Sequence, residues 1–247
     1  ADAFGLTARV KEDRADIDRL MVTNLAGASL SATGSLTDLS LTPSGTVDVS
    51  IVSADGAELI STLAAQFSGP DWLSLAADRI GATPDLLSDA QLSFIASTAP
   101  EDKDRSWTLS GNAKAASGSA SFTGNWKSGE DLGDADGGWQ VTATQREPLN
   151  FLSLAGVDLV PLGAPGPATV ELKANGNPAV SLELEFAYSA EGTSATFAGT
   201  RSNGADGPLL AGKVSLTSDD LDPYLLATGL ALPGTGFGTP VTLQTTM

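Results

Sequence analysis

Val180-Ser181-Leu182-Glu183-Leu184-Glu185-Phe186-Ala187-Tyr188 alternates apolar and polar residues with period two. Successive side chains of an extended chain point to opposite sides, so Val180, Leu182, Leu184, Phe186 and Tyr188 share one face and the two glutamates the other. Such a strand buries one side and leaves the other in water. Thr46–Ser53 repeats the pattern, with Val47, Val49 and Ile51 opposite Asp48, Ser50 and Val52. Shorter runs with the same period are Leu30–Leu36, Leu92–Ser97, Trp107–Ala113, Ser119–Trp126, Trp139–Thr144, Thr169–Ala174, Ser194–Thr200, Lys213–Thr217 and Val241–Thr245.

Turn chemistry separates these runs. Thr42-Pro43-Ser44-Gly45, Asp136-Gly137-Gly138, Asn175-Gly176-Asn177-Pro178 and 202–208 are rich in residues that punctuate strands. Asn175-Gly176 and Asn203-Gly204 suit hairpins, because both residues tolerate positive φ. Strands joined mainly by hairpins make an antiparallel sheet. Short helices interrupt it. Asp55-Gly56-Ala57-Glu58 has the spacing of a capping box before Leu59, Ile60, Leu63 and Phe67, and Gly69-Pro70 ends that helix. A second helix is expected over Pro70–Ile80, stopped by Gly81, and Thr83-Pro84 caps a third turn near Leu86 and Leu87. Each is too short to stand alone and must pack on the sheet.

Three segments align without gaps. Val49-Ser50-Ile51-Val52-Ser53 is followed by Leu59-Ile60, Val141-Thr142-Ala143-Thr144-Gln145 by Phe151-Leu152, and Val214-Ser215-Leu216-Thr217-Ser218 by Tyr224-Leu225, always at the same offset. A proline closes each, at Pro70, Pro161 and Pro233. Val49 and Val141 lie 92 residues apart and Val141 and Val214 lie 73 apart, so the first repeat carries 19 extra residues, placed between Pro70 and Ser88. The expected organisation is one continuous repeat domain over 1–247: the end of a preceding unit (1–42), a unit with a helical insertion (43–136), a further unit (137–210) and the start of an incomplete one (211–247). Starting at an alanine, the chain reads as a piece of something longer, whose membrane anchor is expected in sequence not present here.

Composition removes several kinds of chemistry. The chain has no His and no Cys, which excludes a histidine-based triad, a thiol nucleophile and an ordinary zinc site. With 13 Lys+Arg against 30 Asp+Glu, a net charge of −17 repels phosphate backbones, and no nucleic-acid partner is expected. Gly234-Thr235-Gly236-Phe237-Gly238 resembles a nucleotide loop in composition but follows a helix and precedes a strand, the reverse of the required order. Asp131, Asp134 and Asp136 lack the EF-hand spacing and its terminal glutamate, so a solvated loop is expected there, as at Glu101-Asp102-Lys103-Asp104-Arg105. Paired carboxylates are plentiful, yet aromatics amount to only 6% and no sugar platform is legible. No catalytic residue, cofactor or metal is expected, and the chain reads as non-enzymatic.

The third repeat carries a family resemblance. Leu210-Ala211-Gly212-Lys213-Val214-Ser215-Leu216-Thr217-Ser218-Asp219-Asp220-Leu221, with Pro223-Tyr224-Leu225-Leu226 and Gly229-Leu230-Ala231-Leu232-Pro233, resembles the recurring element of AsmA-like proteins, as does Ala28–Leu36. The middle repeat departs, having Arg146-Glu147-Pro148-Leu149 where the family has an acidic turn. The resemblance, which extends to TamB-like and other bridge-like lipid-transfer proteins, implies a mainly β fold: a long curved antiparallel sheet of repeated strand–helix–strand units, short helices at one side or edge, folded round an apolar groove. It implies a periplasmic segment of an inner-membrane-anchored protein of a Gram-negative bacterium, with phospholipid acyl chains as partners, other envelope proteins as further partners, and a role in lipid transport or outer-membrane biogenesis and maintenance. On that reading Val180, Leu182, Leu184, Phe186, Tyr188, Val47, Val49 and Ile51 line the groove, and Ala and Gly beside them leave room for a chain. Two alternatives stay open: the same face is ordinary core under the helices or a second sheet, or the chain is a secreted or surface β-repeat protein with a structural, adhesive or ligand-binding role.

Overall fold

A computed structural model describes residues 2–39, 43–66, 77–81, 83–101, 104–128, 136–154, 157, 159–160, 166–204, 207–230 and 238–247. It is mainly β and antiparallel, with strands in chain order and an unclosed sheet. The strands are β1 (Ala3–Lys11), β2 (Arg14–Leu25), β3 (Ala28–Thr37), β4 (Ser44–Asp55), β5 (Ser88–Glu101), β6 (Asp104–Lys114), β7 (Gly118–Ser128), β8 (Asp136–Gln145), β9 (Ala168–Asn177), β10 (Ser181–Ala190), β11 (Thr193–Gly204), β12 (Gly207–Ser218) and β13 (Val241–Thr246). The helices are α1 (Gly56–Gln66), α2 (77–81), a 3-10 turn (Pro84–Leu87), α3 (Leu149–Leu154) and α4 (Asp222–Ala227). Two compact units divide the chain, Ala1–Gly137 and Gly138–Met247.

In the first unit β1 to β7 form a meander, each strand antiparallel to the next. β4 then runs straight into α1. Asp55 makes the junction, its Oδ1 accepting from the backbone N–H of Ala57 and of Glu58, both at 3.0 Å, as an N-cap should. Ala57, in the first turn of the helix, is buried, as are Ala28 and Ser53 of the sheet. Ala28 and Ser53 are directly opposite in the β3–β4 ladder, and their small side chains let a helix sit close to the sheet. The 3-10 turn carries buried Leu86 and is tied to the β6–β7 turn, where Ser117 Oγ donates to the Leu86 carbonyl at 2.6 Å.

In the second unit β9 to β13 form the meander, and β8 and β12 each run into a helix, α3 and α4. Thr193 and Ser218, again 25 residues apart like Ala28 and Ser53, face each other in the β11–β12 ladder with their hydroxyls 2.7 Å apart and buried. Asp220 and Asp222 secure the turn into that helix. Asp220 Oδ1 accepts from the N–H groups of Asp222 and Thr239, and Asp222 accepts from Gly238 N–H and from the Thr239 hydroxyl. Gly238 is the one described residue of the glycine-rich 234–238 stretch, and here it closes a helix rather than holding a phosphate.

Several expectations shift. β1 and β2 are strands that the period-two reading passes over. Asn175-Gly176 is not the hairpin turn: β9 continues to Asn177 and the chain reverses at 178–180. Asn203-Gly204 likewise belongs to β11, pairing with Pro208 and Gly207 of β12. Gly137 and Gly138 lie within β8 instead of a turn. A side chain at Gly137 would strike the Asn125 carbonyl at 2.2 Å, so close approach of a strand, and not reversal, demands glycine there. Phe67, Gly69, Pro70, Asp131, Asp134, Pro161 and Pro233 lie outside the described residues.

Candidate functional site

Residues directly opposite in an antiparallel ladder share a face, so the register reads out the surface of each unit. In the first unit one row across seven strands is Leu6, Leu20, Ala32, Val49, Phe94, Gly111 and Phe122. The next row is Phe4, Val22, Leu30, Ile51, Leu92, Ala113 and Ala120, and on the other side lies Ala8, Ile17, Gly34, Val47, Ala96, Leu109 and Gly124. No polar side chain interrupts these three rows. The opposite face carries rows such as Ser31, Ser50, Ser93, Asn112 and Ser121.

Val47, Val49 and Ile51 therefore stand side by side on one apolar face, each half-buried. The rim of that face is open, with Phe4 68%, Leu6 55% and Val10 69% exposed on β1. At its far end Trp107 and Trp126 stack with ring centroids 6.1 Å apart. A depression of about 330 Å³ lies among Asp48, Ser93, Ser110, Asn112 and Thr123 of the polar rows, with Phe94, Gly111 and Phe122 of the apolar row also lining it.

The second unit builds its own apolar face. Its rows are Val170, Tyr188, Ala195, Leu216 and Leu243; Leu172, Phe186, Phe197, Val214 and Thr245; and Ala174, Leu184, Gly199 and Gly212. Leu182, Leu184 and Phe186 are half-buried members of it, while Glu183 and Glu185 project from the other side. Val180 does not belong to the strand; it lies in the 178–180 turn and is 67% exposed.

Tyr188 is covered. Its ring meets Phe151 of α3 edge-on at 6.3 Å and Tyr224 of α4 at 6.4 Å, and the two tyrosine hydroxyls are 2.9 Å apart. Burial, with the hydrogen bond to Tyr224 second, raises the Tyr188 hydroxyl above the usual phenol range. The helices thus roof the end of the face nearest Tyr188, where Pro148, Leu149 and Ala227 are also buried.

The glycines do not simply leave space. A Cβ at Gly199 or Gly212 would fall 2.7 Å from the Phe197 ring, and one at Gly111 would fall 2.5 Å from Phe122. Aromatic rings lie over these glycines, so the floor is levelled by its own side chains rather than pitted. The resulting surface is smooth and apolar, suited to contact along its length.

Among the described residues no group of three acidic side chains is placed to hold a metal, and no helix is long and apolar enough to cross a membrane. No family model, curated protein or solved structure matches the chain.

Proposed function

We propose that this chain is a non-enzymatic periplasmic segment of an AsmA-like envelope protein, in which the apolar face of each unit forms the wall of a groove for phospholipid acyl chains. The observation that carries the reading is the run of three adjacent apolar rows across seven strands, whose Phe4 and Leu6 on β1 stay more than half exposed. A contiguous exposed apolar surface this long is uncommon without a partner and marks a place where something apolar lies. Each methylene removed from water contributes about 0.8 kcal/mol, so a lipid tail gains from such a surface without any directional contact. Directional contacts are not needed along a tail, which agrees with three rows of the first unit made only of Ala, Gly, Val, Leu, Ile and Phe.

Native mass spectrometry of the chain purified from a Gram-negative host tests the proposal. Co-purifying phospholipid that is lost when Val49 and Phe94 are both replaced by Ser supports it. Lipid-free protein, also after incubation with vesicles, contradicts it.

A further inference from the structure

Charge is distributed unevenly between the two faces of the second unit. Its strand cations Lys173 and Lys213 stand on the polar face, in one row with Glu185, and Lys173 Nζ pairs with Glu185 at 3.4 Å. Arg201 does not join them. Its register places it in the apolar face, directly between Leu182 on β10 and Leu210 on β12. It is the cation of that face among the described strand residues, at the end remote from α4.

The side chain is held but not neutralised. Arg201 Nη1 donates to the Pro178 carbonyl at 2.9 Å, and no carboxylate lies within ion-pairing distance among the described residues. One carbonyl uses one of the five N–H donors of a guanidinium. Neighbouring Asn203 is occupied with the same turn, donating to the Ala179 carbonyl at 2.6 Å. The chain has 30 acidic residues, and among the described ones none forms an ion pair with Arg201.

We infer that Arg201 receives the phosphate of a phospholipid whose acyl chain lies along Leu184, Phe186 and Phe197. The inference rests on the groove reading above and assigns it a headgroup position. Charge complementarity selects the occupant, since apolar tails alone are met by the leucines on either side. A phosphodiester accepts two parallel guanidinium N–H bonds, which a lysine cannot offer in that geometry. Length agrees as well. From Arg201 to Ala195 the strand covers about 20 Å at its usual rise, enough for a tail that fills half of a bilayer core of about 30 Å. The headgroup then sits at the open end of the face, while the tail points toward the helices that cover Tyr188.

The first unit, taken by itself, has a comparable feature. Arg105 lies two residues before Trp107 on β6, on the same side as the Trp107–Trp126 stack and at the end remote from α1.

The test loads the purified chain from vesicles of phosphatidylethanolamine and phosphatidylglycerol at a ratio of about three to one (bacterial-type headgroups, both phosphodiesters), with and without added diacylglycerol, and counts bound lipid by mass spectrometry after the vesicles are removed. Arg201→Gln is expected to lower phospholipid uptake about fivefold and leave diacylglycerol uptake unchanged, the loss being that of a partly exposed charge-assisted contact. Arg201→Lys, which keeps the charge, should fall between, and far-UV circular dichroism of each variant checks that the sheet is intact. Unchanged phospholipid uptake by Arg201→Gln, or equal loss of both lipids, overturns the assignment of Arg201 alone. Wild-type protein that takes up neither lipid overturns the groove reading itself.

Discussion

The hydroxyls of Tyr188, on β10, and Tyr224, on α4, are 2.9 Å apart and their rings meet edge-on. This pair fastens a six-residue helix to the sheet at the point where the apolar face passes under cover. Removing it should loosen the helix without touching the open part of the face.

Tyr188→Phe is therefore expected to destabilise the second unit by about 1 kcal/mol, the usual net worth of one hydrogen bond. Tyr188→Ala, which also removes the contacts with Phe151 and Tyr224, should cost about 3 kcal/mol. Urea unfolding followed by far-UV circular dichroism measures both.

The same pair makes stability fall at high pH. Burial raises the folded Tyr188 pKa above the ordinary value near 10. Above that value the unfolded chain loses the proton while the folded chain keeps it, so the unfolded state binds fewer protons. The contribution is complete below about pH 10 and declines as pH rises further. The wild-type urea midpoint should drop more steeply between about pH 9.5 and 11.5 than that of Tyr188→Phe. Parallel curves would count against a buried hydroxyl.

Asp55 caps α1 through two backbone N–H groups. Asp55→Ala should cost about 1 kcal/mol, and Asp55→Asn or Asp55→Ser should recover most of it. Thermal unfolding of the three variants gives the order directly.

Glycine substitutions separate packed from open positions. Gly199→Ala drives a methyl to 2.2 Å from the Ala211 carbonyl and against Phe197, and should destabilise by about 2 kcal/mol or more. Gly5 on β1 has nothing within 4 Å of the added carbon, so Gly5→Ala should stay within about 0.5 kcal/mol of wild type. Denaturant midpoints of the pair are the check.

How much of this was legible depended on whether the phase of alternation was unbroken. β4 and β10 keep strict parity, and their apolar sets lie on one face as expected, except that Val180 belongs to the preceding turn. β2 does not. Ala15 and Ile17 point one way, then the register shifts between Ile17 and Leu20, so Leu20 and Val22 restore the face only after a three-residue step. A bulge of that kind hides a strand from a period-two reading. Turn residues misled for a related reason. Asn-Gly and Gly-Gly pairs mark turns, but glycine is also needed where a neighbouring strand crowds the backbone, as at Gly137. The strand-to-helix passages after Ser53, Gln145 and Ser218 were visible as repeats, because each needs the same sequence of strand, polar turn and apolar helix. What lay beyond reach was which part of the apolar face is roofed. That is decided by Phe151 and Tyr224 converging on Tyr188 from separate helices, a contact with no local signature. Arg201 was equally hidden, since only the register across three strands places it among leucines.

The most direct test of the central proposal is face-specific photocrosslinking in cells. A photoreactive amino acid is placed at Val49 or Leu184 on the apolar faces, and at Asp48 or Glu183 on the polar ones, and adducts are read by mass spectrometry. Phospholipid adducts at Val49 and Leu184, with none at Asp48 and Glu183, are the predicted result. Adducts absent from all four positions, or equal on both faces, would contradict a lipid-bearing apolar face.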